Sequence, residues 1–279
     1  MKSRIITGLV ASAFALVVLL LLPWFCLHIT MAGICALAMY EILVVTKFVR
    51  HRGMLAASIV FALAAPFLLI TGVTMHAVIA LVAYVVVLAL IQILYHDTLP
   101  VEQTGFVFLV SILVPISFSC LAYMRVYAPR GEAGDGLFYV FLAIVMPWMC
   151  DMGAYFVGTF LGKHRLCPGI SPKKTVEGLI GGIIVSVGSS VLAAWLYQLY
   201  LNADGAGAVS LWQVALLALV LAPLSVMGDL FASIIKRQCE VKDFGHIMPG
   251  HGGIMDRFDS LMFVAPVFYI VIHYLPLVY

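Results

Sequence analysis

The chain has 279 residues, of which 64% are hydrophobic and only 10% are charged, and its formal net charge is +2. Soluble globular domains carry about 25% charged residues, so this composition excludes a soluble globular protein and indicates a polytopic integral membrane protein. The small net charge by itself identifies no partner, and we expect no nucleic-acid partner.

Nine apolar stretches follow one another along the chain, separated by short polar segments. A transmembrane helix needs about 20 mostly apolar residues, and each stretch is close to that length. The stretches cover approximately residues 5–22, 24–46, 55–72, 75–96, 104–123, 136–160, 178–201, 211–235 and 258–277. The sequence therefore predicts an all-α fold of about nine transmembrane helices.

The placement of basic residues predicts the orientation of these helices. Lys and Arg accumulate in the short cytoplasmic loops of membrane proteins. With a cytoplasmic N-terminus, thirteen of the fifteen basic residues lie inside and only Arg125 and Arg130 lie outside. We therefore expect a cytoplasmic N-terminus, an external C-terminus and polar clusters open to the cytoplasm. Short loops without a targeting extension indicate a bacterial cytoplasmic (inner) membrane.

The predicted helices divide into two regions of different chemical content. Residues 1–130 form an N-terminal region of five spans with no clear motif, and residues 131–279 form a region of four spans that contains two polar segments. Glu41 is the acid of the second span. We expect it to make a local hydrogen bond or polar packing contact, and a direct catalytic part remains the alternative.

The first polar segment covers residues 151–178 and begins inside the sixth span. Asp151 is an acid at membrane depth, which is costly and calls for a polar surrounding. Gly158 and Gly162 are four residues apart on the same predicted helical face as Asp151. This small-xxx-small spacing permits close helix approach, so we expect the two glycines to serve packing.

The same segment continues with two lysines that precede the seventh span. Ser171 and Pro172 have the residue types of a helix N-cap and first helical position, which places Lys173 and Lys174 in the first helical turn. Backbone amides at a helix start, together with two lysines, indicate a phosphate site.

The second polar segment begins near the end of the eighth span. Asp229, Ser233, Lys236 and Arg237 follow at helical spacing and share one stripe. Such a stripe suits a metal ion at the carboxylate end and phosphate groups at the cationic end.

A glycine-rich loop and an acidic helix start follow this stripe. Glycines let backbone amides approach an anion, and carboxylates prefer hard cations such as magnesium. Asp256 and Asp259 are three residues apart, so both are expected in the first turn of the ninth span. The remaining candidate residues of this segment are Lys242, Asp243, His246, Pro249, Gly250, His251, Gly252, Gly253 and Arg257.

Each of these residues also has an ordinary structural explanation. Acids in a first helical turn favour the helix dipole, and loop Lys and Arg commonly contact lipid headgroups. For a single residue this explanation is the better one. For the whole set of membrane acid, two cations, glycine loop and acid pair, a functional site is the better explanation.

The runs Ser233-Ile-Ile-Lys-Arg, Lys242-Asp243 and His251-Gly-Gly-Ile-Met-Asp-Arg-Phe-Asp259 resemble the signature of the phosphatidate cytidylyltransferase family, also called CDP-diacylglycerol synthases. The spacing agrees throughout, and Met248 is the departure, where the family usually has Leu, Ile or Phe. The upstream run from Asp151 to Gly178 also resembles that family, so the resemblance covers the last 130 or so residues.

The resemblance implies an enzyme that converts CTP and phosphatidate to CDP-diacylglycerol and pyrophosphate with magnesium. It implies that Asp229 and Asp256 bind the metal, with a monovalent cation such as potassium as a second ion and a homodimeric assembly. Asp243 and Asp259 are further candidate ligands.

The residues then receive roles in an in-line attack of the lipid phosphate on the CTP α-phosphorus. Asp229, Ser233, Lys236, Asp256 and Arg257 are the predicted catalytic residues. The predicted phosphate-binding residues are Lys173, Lys174, Lys236, Arg237, Lys242, His251, Gly252, Gly253 and Arg257.

Two other functions are compatible with membrane acids and metal. A transporter is disfavoured because the polar groups gather at one face and the halves show no repeat. A CDP-alcohol phosphotransferase is disfavoured because its pattern of DG, AR and G followed by spaced Asp residues is absent.

Overall fold

The protein is described from a computed structural model that covers residues 2–47, 49, 51–68, 74–126, 133–204, 207–248, 250 and 252–279. Ten helices and one short β-hairpin make up the described chain, as the composition predicts for a membrane protein, because a chain in lipid has to satisfy its backbone polar groups internally. The two basic residues Arg50 and Arg130 lie outside the described residues.

Five helices form the first part of the chain, and three of them end in a turn of altered width. A π-helical turn at Val17–Leu21 follows α1, another at Glu41–Val45 follows α2, and a 3₁₀ turn at Ala65–Phe67 follows α3. The helices are α1 Lys2–Leu16, α2 Trp24–Tyr40, α3 Arg52–Ala64, α4 Thr74–Leu94 and α5 Val101–Val126.

Five more helices and the hairpin form the second part. A short antiparallel pair of strands separates α6 from α7, and a two-residue break separates α9 from α10. The elements are α6 Ala133–Leu161, β1 Arg165–Cys167, β2 Ser171–Thr175, α7 Val176–Asp204, α8 Leu211–Gln238, α9 Met255–Phe258 and α10 Leu261–Tyr274.

Within the described residues, six helices are long and apolar enough to cross a membrane. Three shorter apolar helices coincide with the first, third and ninth predicted stretches, so the class of a helical multi-pass membrane protein is confirmed and the count of nine spans stays a prediction. The six are Trp24–Val45, Met75–Leu94, Val101–Val126, Asp135–Leu161, Val176–Asn202 and Leu211–Gln238, and the three are Thr7–Leu21, Arg52–Phe67 and Leu261–Tyr274.

The chain forms two compact units whose bounds differ from the predicted regions. The first unit contains Met1–Tyr123 and Lys236–Phe258, and the second contains Met124–Ile235 and Asp259–Tyr279. The segment with the glycine-rich loop therefore folds with the N-terminal helices, in which the sequence shows no motif.

A buried chain of hydroxyl groups links three helices of the first unit. The Tyr84 hydroxyl donates to Ser111 Oγ at 2.7 Å and lies 2.9 Å from Ser58 Oγ. Phe61 stacks on the Tyr84 ring with centroids 4.5 Å apart. Buried polar groups are stabilised only when they are hydrogen-bonded, and this chain satisfies three of them among α3, α4 and α5.

The second unit is centred on the close pair of α6 and α7. A Cβ added at Gly153 or Gly182 would collide with the other helix, at Val185 and at the Cys150 carbonyl oxygen respectively. Ser186 Oγ donates to the Met146 carbonyl oxygen at 2.8 Å across the same pair. Small residues let the two backbones approach, and this approach supports the hairpin that joins the helices.

Candidate active site

Asp256 is the centre of a cluster in the first unit, which we call the Asp256 cluster and define as Asp256, Lys236, Phe244 and Gly253. Its Oδ1 accepts a hydrogen bond from Lys236 Nζ at 2.9 Å, and its Oδ2 accepts the backbone N–H groups of Phe244 and Gly253 at 2.8 and 3.0 Å. The Asp256 side chain is only 4% exposed. Charge-assisted bonds of this kind are among the strongest in proteins, so the carboxylate is held in one orientation.

Lys236 also contacts an aromatic ring of the same cluster. Its Nζ lies 5.2 Å from the centre of the Phe244 ring, a cation–π distance, and its side chain is 14% exposed. The predicted phosphate-binding role of Lys236 is not tested by this geometry. What the structure adds is that the lysine already neutralises the Asp256 carboxylate.

The loop before Asp256 depends on glycine. Gly250 and Gly252 have φ angles of 81° and 82°, which residues other than glycine rarely adopt. The Met248 N–H donates to the Gly252 carbonyl oxygen at 3.0 Å and closes a tight turn. His251, a predicted phosphate-binding residue, lies outside the described residues, as does Pro249.

Glu41, the residue directly after α2, contacts this loop. Its carboxylate is fully buried and accepts the backbone N–H groups of Ile254 and Met255 at 3.0 and 2.9 Å. We expected a local hydrogen bond or polar packing, and the partners are instead more than 200 residues away in sequence. Only its position as an acid at membrane depth marked it in the sequence.

Asp229 is the centre of a second cluster, in the second unit, which we call the Asp229 cluster and define as Asp229, Lys174, Ser233 and Asp151. Its Oδ2 pairs with Lys174 Nζ at 2.6 Å, and its Oδ1 accepts a long hydrogen bond from Ser233 Oγ at 3.5 Å. This hydrogen bond confirms that Asp229 and Ser233 share one side of α8; the predicted stripe also included Lys236, which pairs with Asp256, and Arg237, which is exposed.

Asp151 brings a second carboxylate to the Asp229 cluster. It interacts electrostatically with Asp229 and with Lys174, and Ser260 hydrogen-bonds to it. Two carboxylates repel each other at short range, and the Lys174 ammonium group between α6 and α8 offsets that repulsion. The sequence marked Asp151 as an acid that needs a polar surrounding, and Lys174 supplies one.

The prediction that Lys173 and Lys174 lie in a first helical turn is wrong. Ser171–Thr175 forms the strand β2, which pairs antiparallel with β1, and α7 begins at Val176. The cap is Thr175, whose Oγ1 accepts the Gly178 N–H at 3.1 Å. Thr, like the Ser171 that we expected, is a preferred N-cap residue, so the residue types alone did not distinguish the two.

Glu177 anchors the turn between α6 and the hairpin. Its carboxylate accepts the backbone N–H groups of Lys163 and His164 and lies 2.6 Å from the His164 ring nitrogen Nδ1. The hairpin is thereby tied to the start of α7. The lysine at position 174 then reaches Asp229, while Lys173 is exposed.

The packing role predicted for Gly158 of α6 and for Gly162, which directly follows α6, is confirmed. A Cβ added at Gly158 would lie 2.9 Å from Thr175 Oγ1, and one at Gly162 would lie 2.8 Å from Thr175 Cγ2. The helix and the hairpin therefore approach each other closely at Thr175.

Asp259 is not in a first helical turn with Asp256, contrary to the prediction. Asp256 lies in the four-residue helix α9, whereas Asp259 lies in the break before α10, where its Oδ1 accepts the Ser260 N–H at 2.8 Å. Asp243 is a partly exposed loop residue. The predicted phosphate-binding residues Arg237, Lys242 and Arg257 are exposed.

Known proteins resemble this chain over nearly its whole length. Residues 2–275 match the cytidylyltransferase family. The phosphatidate cytidylyltransferase of Bacillus subtilis (strain 168) is 35% identical over 277 residues, which cover 96% of each chain. The phosphatidate cytidylyltransferases of Staphylococcus haemolyticus (strain JCSC1435) and Staphylococcus aureus (strain COL) are 38% and 39% identical over 174 residues, which cover 62% of this chain and 63% of theirs.

Proposed function

The chain belongs to the cytidylyltransferase family, and from this premise we infer that it is a membrane enzyme that transfers the cytidylyl group of CTP to phosphatidate. The reaction yields CDP-diacylglycerol and pyrophosphate, a step of phospholipid biosynthesis. One observation carries the assignment: a phosphatidate cytidylyltransferase is 35% identical to this chain over 96% of both proteins.

We propose an in-line displacement for this transfer. A phosphate oxygen of phosphatidate attacks the α-phosphorus of CTP, a new P–O bond forms, and the bond to the β-phosphate oxygen breaks. Pyrophosphate leaves with the electron pair of the broken bond. A phosphate monoester is largely ionised near neutral pH, so no side chain has to remove a proton. Positioning and charge neutralisation remain as the work of the protein.

We propose that Asp229 and Asp256 hold magnesium for this reaction. Carboxylate oxygens suit this hard cation, and each side chain belongs to a cluster with a lysine that orients it. Among the described residues no group of three His, Cys, Asp or Glu side chains is arranged to hold a metal. Magnesium commonly binds through one or two carboxylates and completes its coordination with water and substrate phosphates. The ion would neutralise charge on the reacting phosphates.

The further ligands and the second ion are part of the same proposal. Asp243 and Asp259 are secondary candidates for metal binding, and a monovalent cation such as potassium is the second ion that the family resemblance implies. Measuring activity in potassium, sodium and choline salts at constant ionic strength tests the second ion. Equal rates in the three salts would contradict it.

The cations of the chain would bind the triphosphate and the lipid phosphate. Lys174 and Lys236 each contact a carboxylate, so incoming phosphate oxygens would share their ammonium groups with Asp229 and Asp256. Ser233 would donate a hydrogen bond to a phosphate oxygen. The exposed cations and the loop backbone would contact the rest of the nucleotide, through Lys173, Arg237, Lys242, His251, Gly252, Gly253 and Arg257.

We propose nine spans with a cytoplasmic N-terminus in a bacterial inner membrane, with the active site facing the cytoplasm. The distribution of basic residues supports this orientation. Single cysteines placed at the exposed positions Asp97 and Ala208 in a cysteine-free variant would test it. In intact cells an impermeant maleimide should label position 208 and not position 97, and the reverse pattern would contradict the orientation.

We also propose a homodimer, on the family resemblance. Mass photometry of the protein in lipid nanodiscs would show twice the chain mass of 30.4 kDa after subtraction of the disc. A single-chain mass at all protein concentrations would contradict the dimer.

The decisive experiment supplies the purified protein with radiolabelled CTP, phosphatidate and magnesium. A labelled product that partitions into organic solvent is expected, because only a cytidylyl group attached to the lipid makes the label lipid-soluble. Asp256→Asn protein prepared in parallel is the control. Label that stays in the aqueous phase with the wild-type protein would refute the proposed function.

A further inference from the structure

Glu41 lies at the start of the π-helical turn Glu41–Val45, and its side chain is completely buried. A carboxylate without partners in such a place is strongly destabilising. Each oxygen has a partner here: Oε1 accepts the Ile254 N–H at 3.0 Å, and Oε2 accepts the Met255 N–H at 2.9 Å. The carboxylate therefore binds two consecutive amides of the segment that leads into Asp256.

Two glycines make this contact possible. A Cβ added at Gly245 or at Gly253 would collide with the carboxylate of Glu41. The loop backbone therefore lies directly against the acid on two sides. Alanine at either position would force the loop or the side chain of Glu41 to move.

The same loop binds the second carboxylate of the first unit. The N–H groups of Phe244 and Gly253 donate to Asp256 Oδ2. Phe244 precedes Gly245, and Gly253 is itself one of the two glycines that contact Glu41. Glu41 and Asp256 also repel each other electrostatically. Four backbone amides and the Lys236 ammonium group offset this repulsion, so the positions of the two carboxylates are coupled through one stretch of backbone.

We propose that Glu41 is a positioning residue of the enzyme: by binding the amides of Ile254 and Met255, it fixes the loop whose backbone orients the Asp256 carboxylate. This inference rests on the proposed function. Glu41 is assigned no contact with substrate, because its side chain is fully buried and its two oxygens bind the loop that carries Asp256. Its effect on the reaction passes through the orientation of Asp256.

The test uses Glu41→Gln in the full-length protein in nanodiscs. Glutamine keeps the size of the side chain but can accept only one of the two amide bonds. Misplacement of a reacting group by about 1 Å costs on the order of 100-fold in rate, so we expect kcat to fall by about 10- to 100-fold. Hydrogen–deuterium exchange should accelerate in residues 244–256 and stay unchanged in α6 and α7.

Two further variants make the test specific. Glu102→Gln changes an exposed glutamate of the same unit and should leave kcat and exchange unchanged. Glu41→Asp keeps the charge on a shorter side chain and should recover part of the lost rate. Gly245→Ala displaces the loop while Glu41 stays intact, and it should lower kcat and raise exchange in the same residues.

The outcomes separate the inference from the proposed function. Wild-type kcat in both Glu41→Gln and Gly245→Ala would overturn the positioning role, and so would faster exchange spread evenly over the whole chain with a lower melting temperature. Failure of the wild-type protein to form the lipid-soluble product would refute the function instead. The exchange pattern of residues 244–256 is measured without substrate and does not depend on that activity.

Discussion

The Asp256 cluster and the Asp229 cluster hold their carboxylates by different means. Asp256 is bound by two backbone amides and a lysine, and it is nearly inaccessible. Asp229 is bound by side chains, chiefly Lys174 of the hairpin, and about 30% of it is exposed. A side chain held by backbone moves only when the loop moves, whereas a side chain held by other side chains can exchange partners by rotamer changes.

This difference suggests a division of labour between the two aspartates. The Asp256 carboxylate is preorganised, and preorganised charge needs no rearrangement when the reaction occurs. The Asp229 carboxylate is adjustable and has a second carboxylate, Asp151, nearby. We expect changes at the first to be more damaging than changes at the second, and four predictions order the effects.

The largest effect is expected for Asp256→Asn. The variant should lose at least about 10³-fold in kcat, because it removes the charge that we assign to metal binding. It also removes the ion pair between Asp256 and the largely buried Lys236 ammonium group, and breaking a buried ion pair costs about 3–5 kcal/mol of folding free energy. The labelled-CTP assay and thermal unfolding in nanodiscs measure the two quantities.

Asp97→Asn is the matched control for Asp256→Asn, because Asp97 is an exposed acid that pairs only with its neighbour His96 among the interactions described. It should show wild-type turnover and stability. Near-normal CDP-diacylglycerol formation by Asp256→Asn would remove the metal assignment.

Asp229→Asn should also abolish most turnover, by about 10²- to 10³-fold, with a smaller loss of stability than Asp256→Asn. The smaller loss follows from the partial exposure of the Asp229 side chain and from Asp151, a second carboxylate that still interacts with Lys174 when Asp229 loses its charge. Comparing the melting temperatures of the two variants tests the contrast between the clusters. Equal or larger destabilisation by Asp229→Asn would break it.

Lys236→Ala is expected to lower kcat/KM for CTP by about 100-fold or less, through lost phosphate contacts and a less restrained Asp256. Titration of activity against magnesium separates these causes. A loss of phosphate contact lowers activity at every magnesium concentration, and a loss of restraint shifts the midpoint of activation. An unchanged kinetic profile would make Lys236 a structural residue only.

Thr175→Val should have the smallest effect on catalysis. The substitution keeps the shape of the side chain against Gly158 and Gly162 but removes the hydroxyl that caps α7. Loss of an N-cap costs about 1 kcal/mol, which lowers the melting temperature by a few degrees. We expect kcat to change less than about threefold. A change in kcat comparable to that of Asp229→Asn would contradict this expectation. It would show that catalysis depends on the cap of α7, through the position of Lys174 in the hairpin.

The sequence was sufficient for the class of fold because the length of an apolar stretch is a local property. The helices coincide with the predicted stretches, and the stripe of Asp229 and Ser233 follows from helical geometry alone. The β-hairpin was missed because Ser171-Pro172 has the chemistry of a helix start, while Pro172 is equally compatible with a short edge strand. The break at 259–260 was missed because an apolar run continues on its far side.

The partner of Glu41 was beyond sequence reasoning for a different reason. The two residues that bind it are 213 and 214 positions away, and no local pattern reports a contact of that separation. Of the two glycines beside Glu41, only Gly253 was predicted to bring the backbone close to an anion, and the predicted anion was a phosphate of the substrate; Gly245 was not singled out. The structure shows a carboxylate of the protein in contact with both.

The bonds from Glu41 to Ile254 and Met255 also constrain the biosynthesis of the protein. The acid is synthesised more than 200 residues before its two amide donors. Until those donors are made, the carboxyl group has neither bond. A chain truncated before Ile254 would lack both donors, so burying Glu41 in such a fragment would carry the full cost of an unpaired polar group.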